Sequence, residues 1–178
     1  MLRKLLLTAI IALPLMMAQT RAQESEDSTA RPNKKETLDL VTQIGKMPVA
    51  QRNAKIDSMW TGSASSEVSK TPRSDFLFCF GLAFLGNCKA QRCVGNNYEH
   101  GIGIVEDLSE AYAWYSIALE NSTADETTKG TIEADKERVK TRLLAAYPHP
   151  TEDDLDDMTK TLQTRIGQYQ EDAKKVKK

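Results

Sequence analysis

The stretch that most restricts what this chain can fold into is Ala90 to Leu119, AQRCVGNNYEHGIGIVEDLSEAYAWYSIAL. Ala90, Val94, Gly95 and Tyr98 recur at the three-and-four spacing of one helix face, and Ala111, Trp114, Tyr115 and Ala118 repeat that rhythm on a second. Between them lies Gly101-Ile102-Gly103. Glycine tolerates positive φ, so Gly101 suits the position after the first helix, and Gly103 lets the chain turn back with no Cβ in the way. Asp107 can accept from the free N–H groups of the second helix's first turn. Glu110, three residues on, completes an Asp-x-x-Glu variant of the capping box. The spacing predicts two short antiparallel helices around a glycine turn.

In register, Ala90, Val94, Gly95, Tyr98, Gly101, Gly103, Ile104, Asp107, Ala111, Trp114, Tyr115 and Ala118 make this segment closely resemble a Sel1-like repeat, a relative of the tetratricopeptide repeat. Val94 and Ile104 are conservative departures from its pattern. The resemblance covers residues 90–119, and it implies an all-α fold, a short right-handed α-solenoid of stacked antiparallel helix pairs. In that family the consensus residues hold the helices together and the remaining surface recruits protein partners.

The N-terminus reads as an export signal. Met1 to Lys4 is basic, Leu5 to Met17 is apolar but shorter than the ~20 residues a membrane span requires, and Thr20-Arg21-Ala22 offers small residues for cleavage. Residues 1–22 are thus expected to be removed, leaving a periplasmic or secreted protein with no stable membrane anchor. Removal of Arg3, Lys4 and Arg21 from 24 basic residues leaves 21 against 25 acidic ones, a formal charge of −4. That balance argues against nucleic acid, whose binding needs a clustered basic face. The Lys174, Lys175, Lys177, Lys178 run reads instead as a solvated helix end.

Residues 23–35 are polar and aperiodic and are expected to be a disordered leader. Leu38, Val41 and Ile44, then Val49, Ile56, Met59 and Trp60, predict an N-terminal helical pair over 36–60, and a Ser-rich linker follows over 61–73. The repeat region is placed at 74–146, with its best repeat at 90–121. It opens with Phe76 to Leu85, capped by Ser74 or Asp75 and apolar almost all round, as a helix buried on most sides must be. Ile132, Val139 and Leu143 mark a further helix, which ends before the prolines 148 and 150. Residues 147–178 hold a capping helix and the Lys-rich tail, with Thr151-x-x-Asp154 as its cap and a stripe of Leu155, Met158, Leu162, Ile166 and Tyr169.

Reactive chemistry is sparse. Cys79, Cys88 and Cys93 would meet an oxidising compartment, where pairing is expected. Antiparallel helices about Gly86-Asn87 would let Cys79 face Cys93 and leave Cys88 single. Cys88 with Cys93 is the competing pair, and three buried thiols the third reading. Cys93 and His100 share a helical face but stand two turns apart, about 10 Å, too far for proton transfer. His100 fits the end of the helix, and His149 a loop between prolines. The acids Glu152, Asp153, Asp154, Asp156 and Asp157 lack the calcium-loop pattern and are accounted for by the helix dipole.

No catalytic, cofactor or metal residues are therefore assigned. The expected function is a non-catalytic protein–protein interaction module, an adaptor, scaffold or assembly factor of the cell envelope. Gln91, Arg92, Asn96, Asn97 and His100, the first-helix residues that the consensus leaves unused, are the candidate partner contacts. A cysteine-containing secreted enzyme or penicillin binder of β-lactamase type is the alternative, although Ser-x-x-Lys and Gly-x-Ser-x-Gly motifs are both absent.

Overall fold

A computed structural model describes residues 29–62, 71–121, 123–146 and 150–176. The export signal, residues 23–28 of the leader, residues 63–70 of the linker, His149 and the last two lysines lie outside them. The described chain is all-α, with helices α1 (Lys34–Gly45), α2 (Val49–Gly62), α3 (Pro72–Phe84), α4 (Cys88–His100), α5 (Leu108–Glu120), α6 (Glu126–Ala145) and α7 (Glu152–Val176).

Two boundaries differ from expectation. Residues 29–35 are not a disordered leader, because Asn33 and Glu36 form a reciprocal capping box that starts α1 at Lys34. Pro32 is buried, and Arg31 is held by ion pairs described below. Likewise α3 begins at Pro72 rather than near Ser74 or Asp75. Proline lacks the N–H that a first helical position leaves unpaired, so it starts the helix where a side-chain cap was expected.

The caps expected at Asp107 and at Thr151 form, and the structure adds Asn87 and Asp125. Asn87 accepts from Ala90 N–H, Asp107 from Glu110 N–H and Asp125 from Thr128 N–H, while Thr151 and Asp154 bond each other. The capping box expected at Asp107 is only half formed. The Glu110 carboxylate turns away to Arg31 and Arg165, and Asp107 N–H donates instead to the Tyr98 carbonyl.

Helix contacts sort by parity. The even helices α2, α4 and α6 form one layer, and α1, α3 and α7, with α5 beside α7, form another. Sequence neighbours from α3 to α6 pair across the layers. Its apolar circumference puts α3 in the centre, with Phe76, Phe80 and Phe84 at four-residue steps. Trp114 of α5, fully buried, meets Phe80 and Phe84 edge-on at 6.0 and 5.6 Å, while Phe76 meets Tyr98 edge-on and Phe84 stacks on Tyr169 of α7.

The last helix does not extend a nearest-neighbour stack. α7 packs chiefly along α5 and reaches back to α3 and α1. Arg165 pairs with Glu110, Gln170 donates to the Phe84 carbonyl, and Lys34 pairs with Asp172. In an open array each unit touches only adjacent units. Here the first and last described helices touch.

The glycines of the hairpin are fixed by contact. Gly95 lies under the Tyr115 ring, where an added Cβ would stand 2.7 Å from a ring carbon. Gly101 caps α4 at φ +66°, and Gly103, at φ +71°, packs against the Pro72 carbonyl so closely that a Cβ would collide with it. Gly103→Ala is expected to destabilise the protein by about 3 kcal/mol, from left-handed strain plus overpacking. Gly130→Ala, in open space within α6, should stabilise it by roughly 0.5–1 kcal/mol. Urea unfolding of the two variants against the parent measures both signs.

Candidate functional site

The outward stripe of α4 is set by helical spacing: Lys89, Arg92, Asn96 and His100 follow one another at three- and four-residue steps, between α2 and α6. Lys89 bridges to Asp57 of α2, and Arg92 bridges to Asp135 of α6 at 2.6 Å. Asn96 is half-buried. His100 is exposed, and its Nδ1 donates to the Asn96 carbonyl at 3.0 Å, which closes the last turn of the helix.

Asn96 and His100 thus lie together on an accessible face, beside the Arg92 guanidinium, which is 17% exposed and held by Asp135. Gln91 and Asn97 do not. Gln91 is buried, donating to the Ala83 carbonyl and accepting from Asn121, whose amide also bonds the Gly86 carbonyl. It ties the α3–α4 turn to the end of α5. Asn97 is buried with its amide 3.7 Å from Cys93 Sγ. Both are corrected from partner contacts to internal hydrogen-bonding groups. The polar positions of α4 point inward as often as outward, because a helix packed against α2, α3, α5 and α6 has a wide buried arc.

Cys79 and Cys93 are paired as a disulfide across α3 and α4, with Cα atoms 6.1 Å apart. Cys88 is the single cysteine, buried with Sγ 3.4 Å from the Ala118 carbonyl, and burial, with the Asp125 charge, pushes its thiol up. Cys93 is therefore no nucleophile for His100. No three His, Cys, Asp or Glu side chains among the described residues converge as metal ligands.

Below the α4 stripe lies a charged network that sequence reasoning missed. Glu99, 1% exposed, accepts from Tyr115 Oη at 2.9 Å and takes both carboxylate oxygens to Arg138 at 2.7 Å. Arg138 also meets Asp135, which holds Arg92, and Arg142 joins the Glu99 carbonyl to the Glu106 carboxylate. Burial alone would raise the Glu99 carboxyl, but the bonds from Arg138 and Tyr115 hold it below the usual carboxylate range. The Tyr115 phenol is pushed up by burial and by the Glu99 charge. One signal for this network was available: Asp135 falls on the α6 stripe between Ile132 and Val139, in the buried register.

At the same turn of the hairpin, Arg31 donates to Tyr98 Oη at 3.2 Å and pairs with Glu110 at 2.7 Å. Burial pushes the Tyr98 phenol up to about 12. Ala90, Gly95, Tyr98, Ala111, Trp114, Tyr115 and Ala118 are all buried, as expected of residues that hold a hairpin together. No family model, curated protein or solved structure matches this chain.

Glu99→Gln is expected to destabilise the protein by about 2–3 kcal/mol at pH 7. That is below the 3–5 kcal/mol typical of breaking a fully buried pair, because Arg138 and Arg142 keep contact with water. Since the folded-state pKa of Glu99 is depressed, its contribution is present above the unfolded value of about 4.3 and is lost as pH falls through the folded value. Parent and variant unfolding curves should therefore converge in acid. Thiol titration of the denatured, unreduced protein should find one group, and three after reduction. Removing the disulfide, which closes a loop of 14-residue separation, should lower stability by about 3 kcal/mol.

Proposed function

We propose that this chain is a non-catalytic protein–protein interaction module of Sel1-like type, an exported adaptor or assembly factor of the cell envelope. The observation that carries the reading is the α4–α5 hairpin. Its glycines, aromatic residues and capping acid are consumed in holding two helices together, which leaves the polar stripe of α4 as accessible surface. A rigid helix face bearing the Asn96 amide and the His100 imidazole presents polar groups at fixed spacing, the kind of surface that fixes the register of a partner. The partner side of the reading comes from the family resemblance. The α-solenoid reading is retained in a reduced form: one Sel1-like hairpin with a helix on each side, and α7 as a closing cap.

Cross-linking in intact cells, followed by identification of the captured protein, tests this. Replacement of Asn96 and His100 together by Ala should lower capture at least fivefold without changing the far-UV circular dichroism. Capture unchanged by that double substitution would remove α4 as the contact face. Sustained β-lactam hydrolysis by the mature protein that survives repurification would overturn the module reading in favour of an enzyme.

A further inference from the structure

The walls of α5 and α7 do not close completely at the N-terminal ends of the two helices. Between them lies an open groove of about 330 Å³, at the small end of the ~300–1,000 Å³ range of ligand clefts. Its floor is apolar: Ala113 and Leu162 lie buried beneath it, and Met158, partly buried, lines it with a flexible thioether side chain. Its rim is acidic on both sides, with Asp107 and Glu110 on the α5 side and Asp154 and Asp157 on α7.

The helix dipole accounts for the acids in the first turn of α7, but Asp107 and Glu110 approach from a different element. Like charges across a gap repel, and a cleft lined by one sign of charge attracts the other. Two guanidinium groups of the chain itself show which cation suits it. Arg31 reaches in from the segment before α1 to Glu110 at 2.7 Å and Asp107 at 3.7 Å, and Arg165 takes Glu110 at 2.9 Å. They occupy the inner end. At the outer end Asp157 is 77% exposed and, among the described residues, pairs with the surface side chain of Lys160, a pair that competing charge displaces readily.

We infer that the groove between α5 and α7 docks a basic segment of a partner protein, in which an arginine or lysine meets Asp154 and Asp157 and a neighbouring apolar side chain sits on Met158. Arginine fits best, because its planar guanidinium matches a carboxylate through two parallel hydrogen bonds while its stem and an adjacent apolar residue cover the floor. The inference rests on the reading of the chain as an interaction module, but it concerns a different face from the α4 stripe.

The test uses the mature chain and a fluorescein-labelled dodecapeptide of alternating Leu and Arg pairs, with the same peptide carrying Glu for Arg as its counterpart. Fluorescence anisotropy should show micromolar binding of the Arg peptide at low salt. Binding should weaken about tenfold when ionic strength is raised to a few tenths molar, where screening shortens to a few ångströms. D157K/T161K places two lysines at exposed positions of the groove and spares the Thr151–Asp154 cap, so folding should be retained; thermal melts check this. It should weaken binding at least tenfold, and Met158→Gln should weaken it severalfold. Equal binding of the Glu peptide, or Arg-peptide binding unchanged in D157K/T161K, overturns the inference. So does displacement of the peptide by self-association of the chain, which would make a second copy the occupant. If peptide binding fails while N96A/H100A still loses the captured protein, the groove is wrong and the module reading stands.

Discussion

The contact on which the structure depends most is the seat of Tyr115 on Gly95. With no Cβ at Gly95 the ring lies directly against the α4 backbone, and that depth sets how closely α4 and α5 approach. The same ring carries its hydroxyl to Glu99, and Glu99 in turn holds Arg138 of α6. One aromatic side chain thus links the packing of the hairpin to the position of the next helix. A buried carboxylate is tolerated there because three donors compensate for its lost hydration.

The turn of the hairpin is closed by a different device. Gly101 and Gly103 turn the chain, Gly103 lies against Pro72 at the start of α3, and Arg31 ties Tyr98 to Glu110. The disulfide between Cys79 and Cys93 adds a covalent restraint across α3 and α4. Cross-links of this kind act chiefly by narrowing the unfolded ensemble.

Closure by α7 separates this chain from an extended helical array. Its stripe of Leu155, Leu162 and Ile166 is buried, and its polar side chains reach α1, α3 and α5. Two accessible surfaces result, the polar stripe of α4 and the acidic groove beside α5, and they differ in the chemistry they offer. The first presents an amide and an imidazole, the second carboxylates over an apolar floor.

The sequence by itself determined the local parts. The hairpin, its glycine turn, the caps at Asp107 and Thr151, the buried character of Phe76 to Leu85 and the stripe of α7 all follow from short-range spacing, because helix periodicity and capping are decided within a few residues. It also limited the cysteines to a few pairings. Tertiary structure decided everything that needs two distant segments in one place. Gln91 and Asn97 carry no sequence mark that separates them from Arg92 and Asn96; whether they face inward depends on where Asn121, Ala83 and Cys93 come to rest. Arg31 looked like part of a disordered leader until Glu110 and Tyr98 were brought beside it, and Glu99 carried no mark in the sequence before α6 delivered Arg138. Charge pairing over 39 or more positions of chain leaves no periodic trace, so the polar half of this fold was visible only once the apolar half had been assembled.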